Sequence, residues 1–437
     1  MNYELGTPGF ERVTSYFGRL GALLPRPELR KSIALYGFGL LGSSERKSVE
    51  PIAASGCTDA AEATRAHGRL LHFVAYGRWC DKTLRMEAAR VGIAAMESRA
   101  RVTKWIIDDT GFLKQGKHSV GVHRQYTGSA GKVTNCQTAV SLSVASEFEH
   151  LPIDFSLYLP KIWCSDAAKC KAARIPESAT FQTKPELALA MIRQAKSEDI
   201  PGTIVLADAG YGTSVNFRNG IIEAGLDYAV GITGESKVWL LDDQGHPAKN
   251  ARSARDLAID LGEEAFRKVT WREGTNRTLA SRFCFRQVRV AHDDGTPACD
   301  RIPIWLIIEW PEDEDLPSKF SLTNLPKSMS HRELVRTLKE RWRTERAYQD
   351  LKGELGLDHF EGRSFPGWHH HVTVVLCCYA FVVSERMRHF SPSATGKSAF
   401  RAIAAAARTP LQRFVRLDSA GNRTRTRPLA PTLSALP

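Results

Sequence analysis

Apolar residues recur at three- and four-residue steps through "GFERVTSYFGRLGALL", "ELRKSIALYGFGLLG", "DAAEATRAHGRLLHFVAYG" and "CDKTLRMEAARVGIAAMES", which predicts helices over most of residues 1–100. Arginines and lysines stud their polar faces, read either as solvated surface or as a DNA-binding face. The period then shortens. "VTKWIIDD" (102–109), "HSVGVHRQY" (118–126) and "CQTAVSLSVA" (136–145) predict three strands, and "LPIDFSLYLP" extends the same sheet. Helices at 184–198 and 214–225 alternate with strands at 202–210 and 226–233.

From 234 to 326 short apolar runs separated by polar turns predict a β-rich insertion. Ser330 and Glu333 form a capping-box pattern that opens a long helix running to about Glu354. A second helix, about 366–388, contains the apolar run Val372 to Val383, too short to span a bilayer and expected to be buried. With the insertion removed, the order is β-β-β-α-β-α-β-α. That order is an α/β, ribonuclease-H-like mixed sheet with helices on both faces. The expected divisions are a helical N-terminal DNA-binding domain (1–100), a first core part (101–233), the insertion (234–326), a second core part (327–390) and a basic C-terminal helix and tail (391–437).

In this topology acids from distant segments converge. Asp108 and Asp109 close the first strand and Asp208, in "VLADAGYG", closes its neighbour, so the strand ends meet at one edge of the sheet. The third acid is expected from the helix after the insertion. Glu345 fits, because Arg341 lies four residues before it and Lys352 seven after, on one side of the helix. Leu334 and Leu338 continue that stripe, and Leu338, Trp342 and Leu351 are expected to press on the sheet, with Trp342 in the core. Three converging carboxylates repel one another unless a cation joins them, and an oxygen-only set favours magnesium or manganese. Two such ions about 3.5–4 Å apart activate an attacking oxygen and stabilise a leaving one. Strand alternation lets only one of Asp108 and Asp109 face such a site. Lys114, Lys117 and His118, on a turn flexed by Gly111 and Gly116, are expected to hold a DNA phosphate, with Arg341 and Lys352 across the cleft. The run His369 to His371 cannot converge on one ion, since successive helical residues diverge by about a hundred degrees. It reads as a polar helix start with one buried histidine.

Charge adds a partner class. The net charge of +12 over 437 residues suits a polyanion such as nucleic acid, or merely a basic enzyme. Nine cysteines at irregular spacing point to structural thiols in a reducing cytosol rather than to disulfides or zinc. The opening "MNYELGTPGFERV" lacks a secretory leader pattern, so a cytoplasmic location is expected.

On "DDTGFLKQGKHSVGVHRQY", "VLADAGYG" and "GELGLDHFEGRSFPGWHHH", the chain resembles the DDE transposases of bacterial insertion sequences over residues 40–390 or so. The resemblance implies a ribonuclease-H-like core, two Mg2+ or Mn2+ ions, and cutting and rejoining of double-stranded DNA at the terminal inverted repeats. It also implies 3′-OH transfer into target DNA by a homodimer at the nucleoid, without membrane contact. Its Tyr-x2-Arg-x3-Glu-x6-Lys signature is matched by Arg341, Glu345 and Lys352, with Leu338 at the tyrosine position. Related sequences place the first ligand one or two residues before the threonine, here Asp109 or Asp108, with Asp108 favoured. The alternatives are a metal-dependent nuclease that does not join ends, and a domesticated DNA-binding protein without chemistry.

Overall fold

A computed structural model describes residues 7–389, apart from 43, 56, 58, 274–277, 293 and 294. The predicted C-terminal helix and tail lie outside the described residues. The chain opens with α1 (Thr7–Ala22), α2 (Pro27–Leu41), α3 (Val49–Ser55), α4 (Ala60–Leu71) and, after a π-helical turn, α5 (Asp81–Glu97). The first core part holds β1 (Lys104–Leu113), β2 (His123–Thr127), β3 (Lys132–Ala145), β4 (His150–Leu157), short α6 (Lys161–Cys164) and α7 (Ala167–Ala172), and α8 (Lys184–Ser197). It continues with β5 (Ile204–Ala207), α9 (Ala209–Gly212), α10 (Val215–Glu223) and β6 (Asp227–Ile232). Then come β7 (Lys237–Leu240), β8 (Arg252–Ser253), α11 (Ala254–Leu261), β9 (Arg267–Glu273), β10 (Thr278–Val290), β11 (Ile304–Trp310) and β12 (Lys319–Thr323). Among the described residues the last helices are α12 (His331–Lys339), α13 (Arg343–Gly353) and α14 (Phe365–His389).

The ribonuclease-H-like order is present. β4, β3 and β1 pair antiparallel, and β1, β5 and β6 pair parallel. The third core strand is therefore β4, the run expected only to extend the sheet. The segment predicted as a strand at 118–126 starts only at His123. Gly121 takes a left-handed backbone (φ 73°) and a turn closes from Val122 N–H to the Ser119 carbonyl, which breaks the strand before it. The predicted insertion does not stand apart, since β12 pairs with β6 and carries β11, β10, β7 and β8 onward in the same sheet.

α14 is apolar all round and 20 of its 25 residues are buried, the pattern of a helix enclosed on every side. It packs on α5, α2 and β4, so the N-terminal helices share one hydrophobic cluster with the sheet, running from Val13 to Met387. Buried charges on it are paired. Arg12 grips Glu385 at 2.8 and 2.6 Å, and Arg386 meets Glu149 at 2.9 Å. Arg85 spans Asp81 and Asp154, both at 2.6 Å. Two histidines of the run are buried, not one, because the N-terminal helices wrap the start of α14. His370 stacks on Trp79 and bonds the Val74 carbonyl, and His371 bonds Tyr36 Oη and the Gly356 carbonyl. Burial pushes the His371 ring down to about 4, which keeps it neutral. All nine cysteines are free thiols, and among the described residues no helix is long and apolar enough to cross a membrane.

Candidate active site

β1 does not end at the acids. All ten of its residues pair with β3, so Asp108 and Asp109 sit mid-strand and Gly111 lies in the strand rather than in a turn. The parallel register with β5 runs from Lys104 opposite Ile204 to Ile106 opposite Leu206, and two further steps bring Asp108 level with Asp208. Paired strands lie about 4.8 Å apart. Ile106 and Leu206 pack in one cluster with Leu334 and Val335 of α12. Alternation therefore turns Asp108 toward α12 and α13. Asp208 keeps an extended backbone (φ −82°, ψ −175°) past the end of β5, which directs it to the same face, and its Oδ1 caps α9 by accepting from Gly210 N–H at 3.0 Å. The acid loop presses closely on β6: a Cβ on Gly212 would stand 2.1 Å from the Gly231 carbonyl oxygen, so only glycine fits there.

The helix opposite is not continuous over 330–354 as its pattern predicts. It tightens to a 3-10 turn at Glu340–Trp342 between α12 and α13. A 3-10 step turns each residue about 20° further than an α step. Three such steps move Trp342 off the sheet, and it is 53% exposed rather than in the core. The same turn aims Arg341 at the sheet. Its Nη1 donates to Asp108 Oδ2 at 2.8 Å, and its Nη2 stands 3.6 Å from Glu345 Oε1. One guanidinium thus links the first and third acids. Glu345 is half-exposed while Asp108 is buried.

Burial is the main force on Asp108 and pushes its carboxyl up to about 7. The neighbouring charges of Asp208 and Asp109 push the same way, against Arg341 and the Asp109 backbone N–H. Asp109 faces the opposite side, where Lys184 Nζ of α8 meets its Oδ2 at 3.0 Å and Tyr211 Oη donates to it at 3.2 Å. Of the expected phosphate ligands, Lys117 and His118 are exposed. Lys114 and Lys352 are instead half-buried and donate to the backbone carbonyls of Phe360 and Gly111, both at 2.7 Å. Burial lowers both ammonium groups below the usual lysine range. These two lysines tie chain segments together, a use that spacing along the sequence does not reveal.

Tyr348 lies near the signature tyrosine position in sequence but on another part of the helix turn. Its hydroxyl pairs with Ser141 Oγ at 2.6 Å, and Ser141 is the β3 residue opposite Asp108. Burial first, then the Asp108 charge, hold the Tyr348 hydroxyl well above its ordinary range. Its position three residues after Glu345 on one helix face was the available signal. Lys184 and Tyr211 carried none, since their contact to Asp109 crosses the fold. Among the described residues no three His, Cys, Asp or Glu side chains already form a metal cage. The donor chemistry nevertheless suits a hard divalent cation: carboxylates alone, one of them buried beside another acid and bonded by an arginine.

A family model described as "DDE superfamily endonuclease" matches residues 19–278, a span that holds Asp108, Asp109 and Asp208 and ends before Glu345. Over 176 residues the chain is 30% identical to a protein of Microchaete diplosiphon named "Probable transposase for insertion sequence element IS701". That stretch is 40% of this chain and 43% of the relative, so the match spans less than half of either protein.

Proposed function

The chain belongs to the DDE superfamily endonucleases, and from that membership we propose that it is an insertion-sequence transposase. It hydrolyses phosphodiesters at transposon ends and transfers the freed 3′-OH into target DNA. The observation that carries this reading is the level placement of Asp108 and Asp208 on adjacent parallel strands, with Arg341 joining Asp108 to Glu345. Asp108, Asp208 and Glu345 would hold Mg2+ or Mn2+, which supply the charge that lets an oxygen attack phosphorus and another leave. Arg341 pairs with Asp108 in the metal-free protein and, freed from it, offers a fork that suits phosphate. Asp109 acts differently: its contacts to Lys184 and Tyr211 brace α8 and α9 behind the acid loop. Lys117 and His118 remain the exposed phosphate contacts. Joining requires two ends in one complex, so the active form is a homodimer, with residues 1–100 recognising the terminal inverted repeats and the protein acting at the nucleoid.

Pre-cut transposon ends test the assignment. Joined products in a target plasmid support the transposase, whereas cleavage of uncut ends with no joining of pre-cut ones makes the protein a nuclease. Tyr348→Phe removes the hydroxyl that pairs with Ser141, the β3 residue opposite Asp108, and keeps the ring. It should slow cleavage about five- to tenfold, the equivalent of one net hydrogen bond. A single-turnover nicking rate measures this, and an unchanged rate would leave Tyr348 with packing alone.

A further inference from the structure

Between Thr110 and Ser146 the chain has no aspartate or glutamate, but it has Lys114, Lys117, Arg124 and Lys132 with His118 and His123. The fold makes this stretch the outer edge of the sheet. β2 and the first part of β3 form a hairpin arm, with Arg124 opposite Asn135 and Tyr126 opposite Val133. The arm curls back on the acid-bearing strand. Ser129 Oγ of its turn donates to the Gly111 carbonyl, and a Cβ on Gly111 would strike the Thr127 side chain. Gly111 is three residues beyond Asp108, about 10 Å along a strand. Asn135 stiffens the base by donating to the carbonyls of Lys114 and Gly116 at 2.7 and 2.9 Å. Unlike Lys114, the side chains of Lys117, Arg124 and Lys132 are exposed and engage no acid among the described residues. Tyr126 stands 63% exposed beside Arg124, with Val133 at 54%.

Tyr126 pairs across the hairpin with Val133 and still leaves most of its ring in solvent among cations that engage no acid, and a polyanion with flat bases and sugars matches both features. We propose that this arm grips duplex DNA next to the cut, Arg124 and Lys132 on backbone phosphates and Tyr126 packed on a sugar or an unstacked base. The proposal rests on the DNA-processing reading above. It places the contact within about one helical turn, ten base pairs, of the scissile phosphate.

The test is equilibrium binding of the full chain to a random-sequence duplex of about 30 base pairs, by fluorescence anisotropy across a salt series. Each lost phosphate contact lowers the slope of log affinity against log salt by about 0.9, so the Arg124→Ala/Lys132→Ala double variant should lose about 1.8 and bind about tenfold more weakly at 0.1 M salt. Tyr126→Ala should weaken binding while Tyr126→Phe does not. A slope equal to wild type overturns the proposal, as does loss of a dimer on sedimentation with DNA affinity intact, which would make the arm a contact between copies. The two readings separate cleanly. Wild-type protein that cuts DNA while the double variant keeps its slope refutes the arm alone. Protein that binds through the arm but never cuts refutes the transposase.

Discussion

Asp208→Asn is expected to lose strand cleavage by about a thousandfold or more, the scale seen when a group that stabilises the transition state is removed. The substitution is clean. Asp208 Oδ1 caps α9 through Gly210 N–H, and an asparagine oxygen can accept the same bond, so the charge goes while the cap stays. Glu345→Gln should lose a similar amount. Glu340→Gln is the control: that acid sits on the adjoining 3-10 turn but pairs with Arg343 at 2.9 Å rather than with Arg341, and its rate should stay within about twofold. Nicking of supercoiled plasmid, with circular dichroism to verify folding, measures all three. Cleavage by the Asp208 variant at the wild-type rate would remove Asp208 from the chemistry.

Asp108→Asn is expected to abolish cleavage and yet stabilise the metal-free protein at neutral and alkaline pH. The folded carboxyl is raised to about 7, far above its ordinary value, chiefly by burial. The native state thus holds a proton that the unfolded chain has released. Stability from this group is complete below about pH 4 and is lost as pH rises through 7. At one pKa unit per 1.36 kcal/mol the penalty approaches ~4 kcal/mol with the attraction of Arg341 already included in the shift, so a gain of about 2–4 kcal/mol is expected at pH 8. Near pH 4 the two proteins should converge, since a protonated carboxyl and an amide carry the same charge. Urea unfolding with chelator present, at both pH values, reads the difference. A variant no more stable than wild type at pH 8 would mean that Asp108 bears no such strain.

The buried helix α14 was legible because its apolar run is unbroken apart from Thr373. The convergence of Asp108 with Asp208 was legible because alternating strands and helices force the two segments into neighbouring parallel strands. Alternation also separated the two adjacent acids, and packing gives it direction: Asp108 turns to Arg341, and Asp109 to Lys184. The 3-10 turn was not legible. Its local sequence carries an ordinary helical stripe, and the contact of Arg341 with Asp108 spans 233 residues. Trp342 was misplaced for that reason. Lys114 and Lys352 look in sequence like cations that await phosphate, and their bonds to the carbonyls of Phe360 and Gly111 appear only in the fold. The predicted insertion was recognisable as strands, but which strand pairs with β6 depends on contacts distant in sequence, so its merger into the core sheet stayed hidden.

The gathering of Asp108, Asp208 and Glu345 around divalent cations can be tested by loading the protein with Fe2+ in place of Mg2+ and adding ascorbate and peroxide. Hydroxyl radicals then cut the backbone beside the bound ion, and mass spectrometry maps the breaks. Three clusters of cuts, near residues 108, 208 and 345, all suppressed by excess Mg2+ and all lost in Asp208→Asn, are the predicted result. Cuts at one of these places without the others, or the same pattern in Asp208→Asn, would contradict a shared site.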